Sequence, residues 1–477
     1  MGHASIYPTG VTIYDSKKCF NGYTMFQADG YGAVLMDMNG KIVHMWNKLQ
    51  GHPNKLLPGG FVMGSSGNRD RAFSNQDWMD VIEVDWNGKI VWKFNEFEKI
   101  YDNGKEEWCA RQHHDYQREG NPVGYYVPGM ECQVTSGNTL ILAHTTKDKK
   151  RLSGYTFIDD CIYEVDWQGN IVWRWDALDH FQEFELNEIE KNALARNPNL
   201  RACGMGDWAH INSMSVVGPN KWYDAGDERF NPENIIFDSR ELNFIGIIDK
   251  KSGKIVWKMG GDFTKTRELR TIGQIIGQHH AHIIPKGLPG EGNLLVFDNG
   301  GAAGFGVPDF TSKDGTKKYK RDYSRVLEIN PITLKIEWEY TPITAGFVEP
   351  MTSHYFYSPL VSSAQRLPNG NTLITEGCSG RFLEVTVEGE IVWEYVYPYR
   401  GIKPAGQLIY RAYRYPYEYV PQLETPEEKD IPRMDNVTFR MPNAAANIFE
   451  NGVDIVGMQG YEKDAGFCVE ETDKEEK

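Results

Sequence analysis

Seven of the twelve histidines, His113, His114, His210, His279, His280, His282 and His354, stand at or near the start of a strand-forming segment, ahead of runs such as Gly137-Asn138-Thr139-Leu140-Ile141. A neutral imidazole near physiological pH offers a lone pair that can attack an electrophile, take a proton or bind a transition metal. A single histidine at a strand end, such as His44 or His144, is more often a hydrogen-bonded structural residue. Histidines at matching positions of a repeat are a different matter, because one architecture can bring them together. Within the trio, His280 and His282 alternate and share one face of a strand while His279 points the other way. At most two of the three are therefore expected to look in one direction.

The elements that must position these side chains are announced by a hairpin. Asp85-Trp86-Asn87-Gly88-Lys89-Ile90-Val91-Trp92 reads as strand, Asn-Gly turn and strand, with a type I′ turn expected at Asn87-Gly88. Related units begin at Asn39, Gln168, Gly253, Leu334 and Gly389, which makes six copies, most of them ending in tryptophan. Each follows a short apolar strand such as Val81-Ile82-Glu83-Val84. A hairpin cannot bury its apolar face alone, so six of them must stack in series or in a ring. The expected fold is all-β, a single six-bladed β-propeller. The first strand of each blade would line a central channel, and the dispersed histidines would converge there.

Along the chain the blades fall at roughly 8–47, 51–94, 111–175, 206–260, 277–340 and 353–397. The first looks short of its innermost strand, and residues 398–477 read as an extension that closes the ring or caps it, with a frayed charged end. Phe184, Leu186, Ile189 and Leu194 fall near helical spacing, so a helical insertion over 181–196, stopped by Asn197-Pro198, is expected on one rim.

Composition narrows the function. The balance of 51 basic and 66 acidic residues gives a net charge of -15, with no basic stripe, so neither nucleic acid nor a membrane is an expected partner. The seven cysteines lack C-x-x-C spacing, and there is no apolar run of 18 residues and no signal-like N-terminus. A cytoplasmic protein with free thiols, acting alone or as a homodimer on a small aromatic substrate, is the expectation. No G-x-x-x-x-G-K-[ST] phosphate loop occurs. The glycines of 300–306 read instead as a mobile lid over the channel mouth.

One succession is more specific: Asp207-Trp208-x-His210-x-Asn212-Ser213, Phe237-Asp238-Ser239-Arg240, Gly253-Lys254-Ile255-Val256-Trp257, Gln278-His279, Phe297-Asp298-Asn299-Gly300, Tyr323-Ser324-Arg325 and a Leu-Pro-Asn-Gly-Asn strand. In that order these motifs resemble the arylsulfate sulfotransferase family over roughly 200–400. Those are six-bladed propellers that move a sulfuryl group between phenols without a nucleotide donor. The resemblance implies a ping-pong transfer in which a neutral histidine attacks the sulfur of an aryl sulfate and a second phenol collects the group. It implies that His210, Asn212, His279 and Arg325 occupy motif positions, with histidine and arginine holding the sulfuryl oxygens. By order alone His354 stands for the nucleophile. Arg240 is a reserve oxyanion holder or else an exposed strand arginine, and His113, His114, His280 and His282 are candidate substrate contacts.

No cofactor is expected on this reading. The surplus imidazoles also suit a transition-metal centre for a lyase, hydrolase or oxygenase, with His114, His210, His280 and His354 as ligands and Asp115 or Asp207 as carboxylate. A non-enzymatic binding scaffold is the third class. It accounts least well for the clustering of histidines.

Overall fold

The computed structural model describes residues 9–28, 30–69, 77–102, 104–196, 198, 206–399, 408–433 and 452–458. The side chain of Asp207, Asn197 and the charged C-terminal end lie outside the described residues, as do Cys203 and Cys468. Six antiparallel sheets surround one axis, as the repeat implies. Their inner strands are Ala412–Tyr415, Gln50–Leu57, Gln112–Arg118, Ile211–Val216, His279–Ile283 and Ser363–Arg366, and neighbouring inner strands touch one another around the ring.

Both ends of the described chain close that ring. Ala412–Tyr415 supplies the inner strand missing from the first blade by pairing with Tyr23–Ala28. The N-terminal strand Gly10–Tyr14, expected in the first blade, instead pairs with Ile391–Val396 as a fifth, outermost strand of the sixth. It covers an edge that would otherwise expose unpaired backbone. Gly452–Asp454 covers the first blade's edge in the same way, in parallel with Ile42–Asn47.

The repeated hairpins differ from expectation in one detail. Only the glycine has a positive φ, +83° at Gly88, while Asn87 does not. The Asp85 carboxylate accepts from the N–H groups of Asn87 (2.9 Å) and Lys89 (2.8 Å) and so fixes a tight turn. A register shift at Glu83/Val84 follows, in place of the two-residue type I′ turn.

The tryptophans explain the rest of the motif. In every blade the outer strand's indole N–H donates to a carbonyl in the next blade's hairpin turn. The bonds are Trp46 to Asp85 (2.9 Å), Trp92 to Trp167 (3.2 Å), Trp173 to Lys250 (2.9 Å), Trp257 to Pro331 (2.9 Å), Trp338 to Val387 (2.8 Å) and Trp393 to Met38 (2.8 Å). The last of these links the sixth blade to the first.

The expected helix is two pieces, a 3-10 stretch Ala177–Phe184 and an α-helix Glu188–Arg196, separated by Glu185 at φ +52°. Asn187 caps the second piece by accepting from Ile189 (2.9 Å) and Glu190 (3.0 Å), while Glu190 accepts the N–H of Asn187 (2.8 Å). The glycine-rich segment expected as a lid is a small ribbon, Ala303–Phe305 paired with Thr316–Tyr319. Its Phe305 is buried with Phe184, Trp208 and Phe244, which ties the ribbon to the core. No described helix is long and apolar enough to cross a membrane.

Candidate active site

Three inner strands carry the same irregularity at a histidine. His114, His210 and His280 have φ of +54°, +49° and +58°, and the register slips around His114 (Gln112/Tyr116) and His280 (His279/His282) and just after His210 (Ile211/Ser213). A bulge of this kind re-aims side chains, and left-handed backbone at a non-glycine residue carries strain that the surrounding sheet must hold. Here the re-aimed side chains are imidazoles.

The rings meet. His113 stacks on His144 at 3.7 Å, His114 lies edge-on to His210 at 4.7 Å, and the His113 and His114 Nδ1 atoms are 2.8 Å apart. Tyr410, just before the closing strand, lies at the centre with its ring 5.0 Å from His52, 5.6 Å from His114 and 6.4 Å from His279. On the fifth blade's inner strand, His280 and His282 lie 4.5 Å apart. Their Nδ1 atoms donate to the carbonyls of Ala364 (3.0 Å) and His280 (2.9 Å). Their Nε2 atoms accept from the hydroxyls of Tyr413 (3.2 Å) and Tyr125 (3.0 Å). Both nitrogens of each ring are thus engaged.

His279 is different. The amide nitrogen of Asn299 donates to the carbonyls of Ser358 (2.7 Å) and Val361 (2.8 Å), so its Oδ1 must be the atom that faces His279 Nδ1 at 2.7 Å. That oxygen can only accept, hence Nδ1 carries the proton and Nε2 the lone pair. Nε2 makes no hydrogen bond among the described residues. Burial, reinforced by the charge of Arg240 and more weakly by Arg411 and His210, holds this imidazole well below its ordinary titration range. It is neutral wherever the protein is folded near neutral pH.

The charges beneath the rings do not balance. Lys55 Nζ donates to Asp115 Oδ1 (2.7 Å), Gln117 Oε1 (3.1 Å) and the Tyr116 carbonyl; three acceptors require the ammonium form. Arg411, fully buried, donates to Asp115 Oδ2 (2.7 Å) and the Asn212 carbonyl (2.7 Å), and its Nε has no partner. Two buried cations therefore share one carboxylate. Asp238, the next acid, is pushed up to about 7 by burial while accepting from Ser213 and Ala281. The Lys55–Asp115–Arg411 set thus holds one more cation than carboxylate, which favours an anion beside it.

Of the residues singled out in the sequence, His113, His114, His210, Asn212, His279, His280 and His282 are all buried around this channel. Asn212 donates to the Gln278 carbonyl (3.1 Å), and its Oδ1 is without a partner. Arg240, half-buried at the rim, pairs with Glu241 and donates to the Ala302 carbonyl (2.9 Å).

Two residues are not brought in. Arg325 begins the third strand of its blade, opposite Asp298, and its guanidinium is engaged by that carboxylate (2.6 Å) and the Ile272 carbonyl (2.9 Å). His354 is exposed in a single 3-10 turn, Ser353–Tyr355, ahead of the sixth blade's inner strand, and its ring meets Tyr355. The metal set His114, His210, His280 and His354 is accordingly not assembled, and Asp115 is committed to two cations.

Sequence reasoning missed His52, Lys55, Asn299, Tyr410 and Arg411. Tyr410 and Arg411 were legible in principle, because a strand that closes the ring from the C-terminus must line the channel.

Among solved structures, the chain resembles a protein of unknown function from Bacteroides caccae at 10% identity and TM-score 0.41, covering 82% of this chain and 98% of that one. It also resembles a putative 6-phosphogluconolactonase from Bacteroides fragilis (9%, TM-score 0.34, 83% and 99%) and virginiamycin B lyase from Staphylococcus aureus (12%, TM-score 0.34, 82% and 85%). No curated protein matches the chain. The family described as Arylsulfotransferase (ASST) matches residues 33–398. With that match spanning most of its length and the six-bladed ring in place, the chain belongs to the arylsulfotransferase family.

Proposed function

We propose that the protein moves a sulfuryl group from an aryl sulfate to a phenol, with His279 as the atom-transferring residue. The observation that carries this is the neutral imidazole of His279, its tautomer fixed by Asn299, in a channel where Lys55 and Arg411 share the single carboxylate of Asp115. The Nε2 lone pair would attack sulfur as the aryl S–O bond breaks and the phenolate leaves with its electron pair. In the sulfated intermediate the imidazole carries positive charge, which the Nδ1–H···Oδ1 bond to Asn299 stabilises. An acceptor phenol then gives its proton to a neighbouring base, for which His114 and His210 are the candidates, attacks sulfur, and the N–S bond breaks. Arg411 and Lys55 supply the field that favours the anionic donor and the departing phenolate.

His354, exposed outside the channel, is given no part in this scheme. A pure scaffold would have no use for a buried excess charge. The test is to incubate the protein with 4-nitrophenyl sulfate, with and without phenol, and measure 4-nitrophenolate release and intact mass. Wild type and His354→Ala should gain the mass of one SO3 group and turn over. His279→Ala should do neither, with a loss of at least about a thousandfold in rate. Wild-type turnover by His279→Ala would overturn the assignment.

A further inference from the structure

A fourth inner strand is entered through left-handed backbone, this time without an imidazole. Just ahead of Ser363–Arg366 in the sixth blade, Val361 and Ser362 have φ of +55° and +87°. Both residues are fully buried. A β-branched residue seldom adopts this conformation, and strain of this kind collects at functional positions.

The turn aims carbonyls. Those of Ser358 and Val361 converge on the Asn299 amide nitrogen at 2.7 and 2.8 Å. Both amide N–H groups are thereby taken, which leaves Oδ1 to face His279 Nδ1 at 2.7 Å. The Gly277 carbonyl is a second and longer acceptor for that nitrogen, at 3.1 Å. The shorter of the two bonds therefore depends on which way the Asn299 amide is turned.

Serine hydroxyls hold the turn in place. Ser324 Oγ donates to the Asn299 carbonyl (2.8 Å) and accepts the Ser358 N–H (2.9 Å), so it bridges the two backbones that the amide spans. Ser362 Oγ donates to Ser358 Oγ (2.8 Å) and accepts the Gly377 N–H (3.0 Å). Ser358 Oγ in turn donates to the Leu360 carbonyl (3.0 Å) and accepts the Cys378 N–H (3.0 Å). All three serines are buried, and connected hydroxyls in a dry interior favour one arrangement. Backbone packs on backbone beside them, at Gly301, where a Cβ would run into the Pro359 carbonyl.

We propose that Ser324, Val361 and Ser362 are positioning residues for His279. They turn the Asn299 amide so that its oxygen holds Nδ1–H and keeps the ring in one orientation, and they act on the ring through Asn299. The same turn meets the closing segment, since the Ser362 N–H donates to the Tyr410 carbonyl (3.1 Å). Their effect on rate rests on His279 being the attacking residue; their effect on the ring does not.

The test is NMR of full-length protein isotopically labelled at histidine nitrogen. The His279 Nδ1–H signal is the one absent from His279→Gln, and in wild type it should lie downfield and exchange slowly with solvent. Ser324→Ala and Ser362→Ala should each shift it upfield and speed its exchange roughly tenfold, the scale of one lost hydrogen bond. Ser363→Ala loses a buried hydroxyl bonded to Thr375 (3.1 Å) one residue along the same strand, and it should leave the signal in place. A signal unchanged in either folded serine variant, or moved as far by Ser363→Ala, overturns the proposal. Should Ser324→Ala not fold, Ser362→Ala decides on the same signal. In turnover, kcat of the two variants should fall by a similar factor with KM little changed. A shifted signal with unaltered kcat would count against His279 as the attacking residue, and would leave the role of the turn standing.

Discussion

At the scale of single residues, the molecule uses burial to keep imidazoles uncharged. Burial pushes His282 down to about 4 and His52 to about 3, and both His279 and His280 lie well below the ordinary value. In the unfolded chain each would titrate near 6.5. Between these values the unfolded state binds more protons than the folded one, so stability rises with pH across the window. It is lost as pH falls from about 6.5 towards 4, each fully buried ring contributing on the order of a few kcal/mol. Urea unfolding at pH 4.5 and 7 should show this loss, and His282→Gln should make the difference smaller. An equal pH dependence in wild type and variant would show that this ring is not held neutral. If His279 is the attacking residue as proposed, the same depression predicts that the burst of 4-nitrophenolate has no acidic limb near 6.5, because that ring remains unprotonated there.

At the scale of the strand and the hairpin, the indole bonds between blades have a measurable worth. Trp257→Phe keeps most of the ring and removes the donor to Pro331, so it should cost roughly 1–2 kcal/mol in denaturant unfolding. Trp257→Ala also leaves a cavity and should cost roughly 3–5 kcal/mol. A smaller loss for the alanine variant would contradict the stitching role.

These elements were the part most legible in the sequence. The Gly-Lys-Ile-Val-Trp repeat announces the outer pair of each blade, because turn glycines and alternating apolar residues are local signals. The bulges were not legible. Nothing in Gln278-His279-His280-Ala281-His282 shows that His280 takes a left-handed backbone, a choice enforced by the neighbouring strand. The position of His354 was not legible for a related reason: its place in order resembles a blade start, but the sixth inner strand begins only at Ser363. His144 was read as a hydrogen-bonded structural residue, but its partner could not be named, because the Asp77 carboxylate that meets its Nδ1 at 2.6 Å is distant in sequence.

At the scale of the whole ring, function depends on closure. Tyr410 and Arg411 enter the channel only when Ala412–Tyr415 pairs with Tyr23–Ala28. A chain ending at residue 408 should lose turnover entirely and expose the inner edge of its first blade, which size-exclusion chromatography would register as association. Retained turnover in that truncation would exclude Tyr410 and Arg411 from the chemistry. The N-terminal strand, by contrast, guards an outer edge, and its deletion should affect stability before rate. There is a consequence for biosynthesis. The histidines leave the ribosome long before Arg411 is translated, so under the proposed mechanism a growing polypeptide holds the rings without the charge that would draw a sulfate ester to them. Prematurely stopped products should thereby be silent, with competence arriving only with the closing segment.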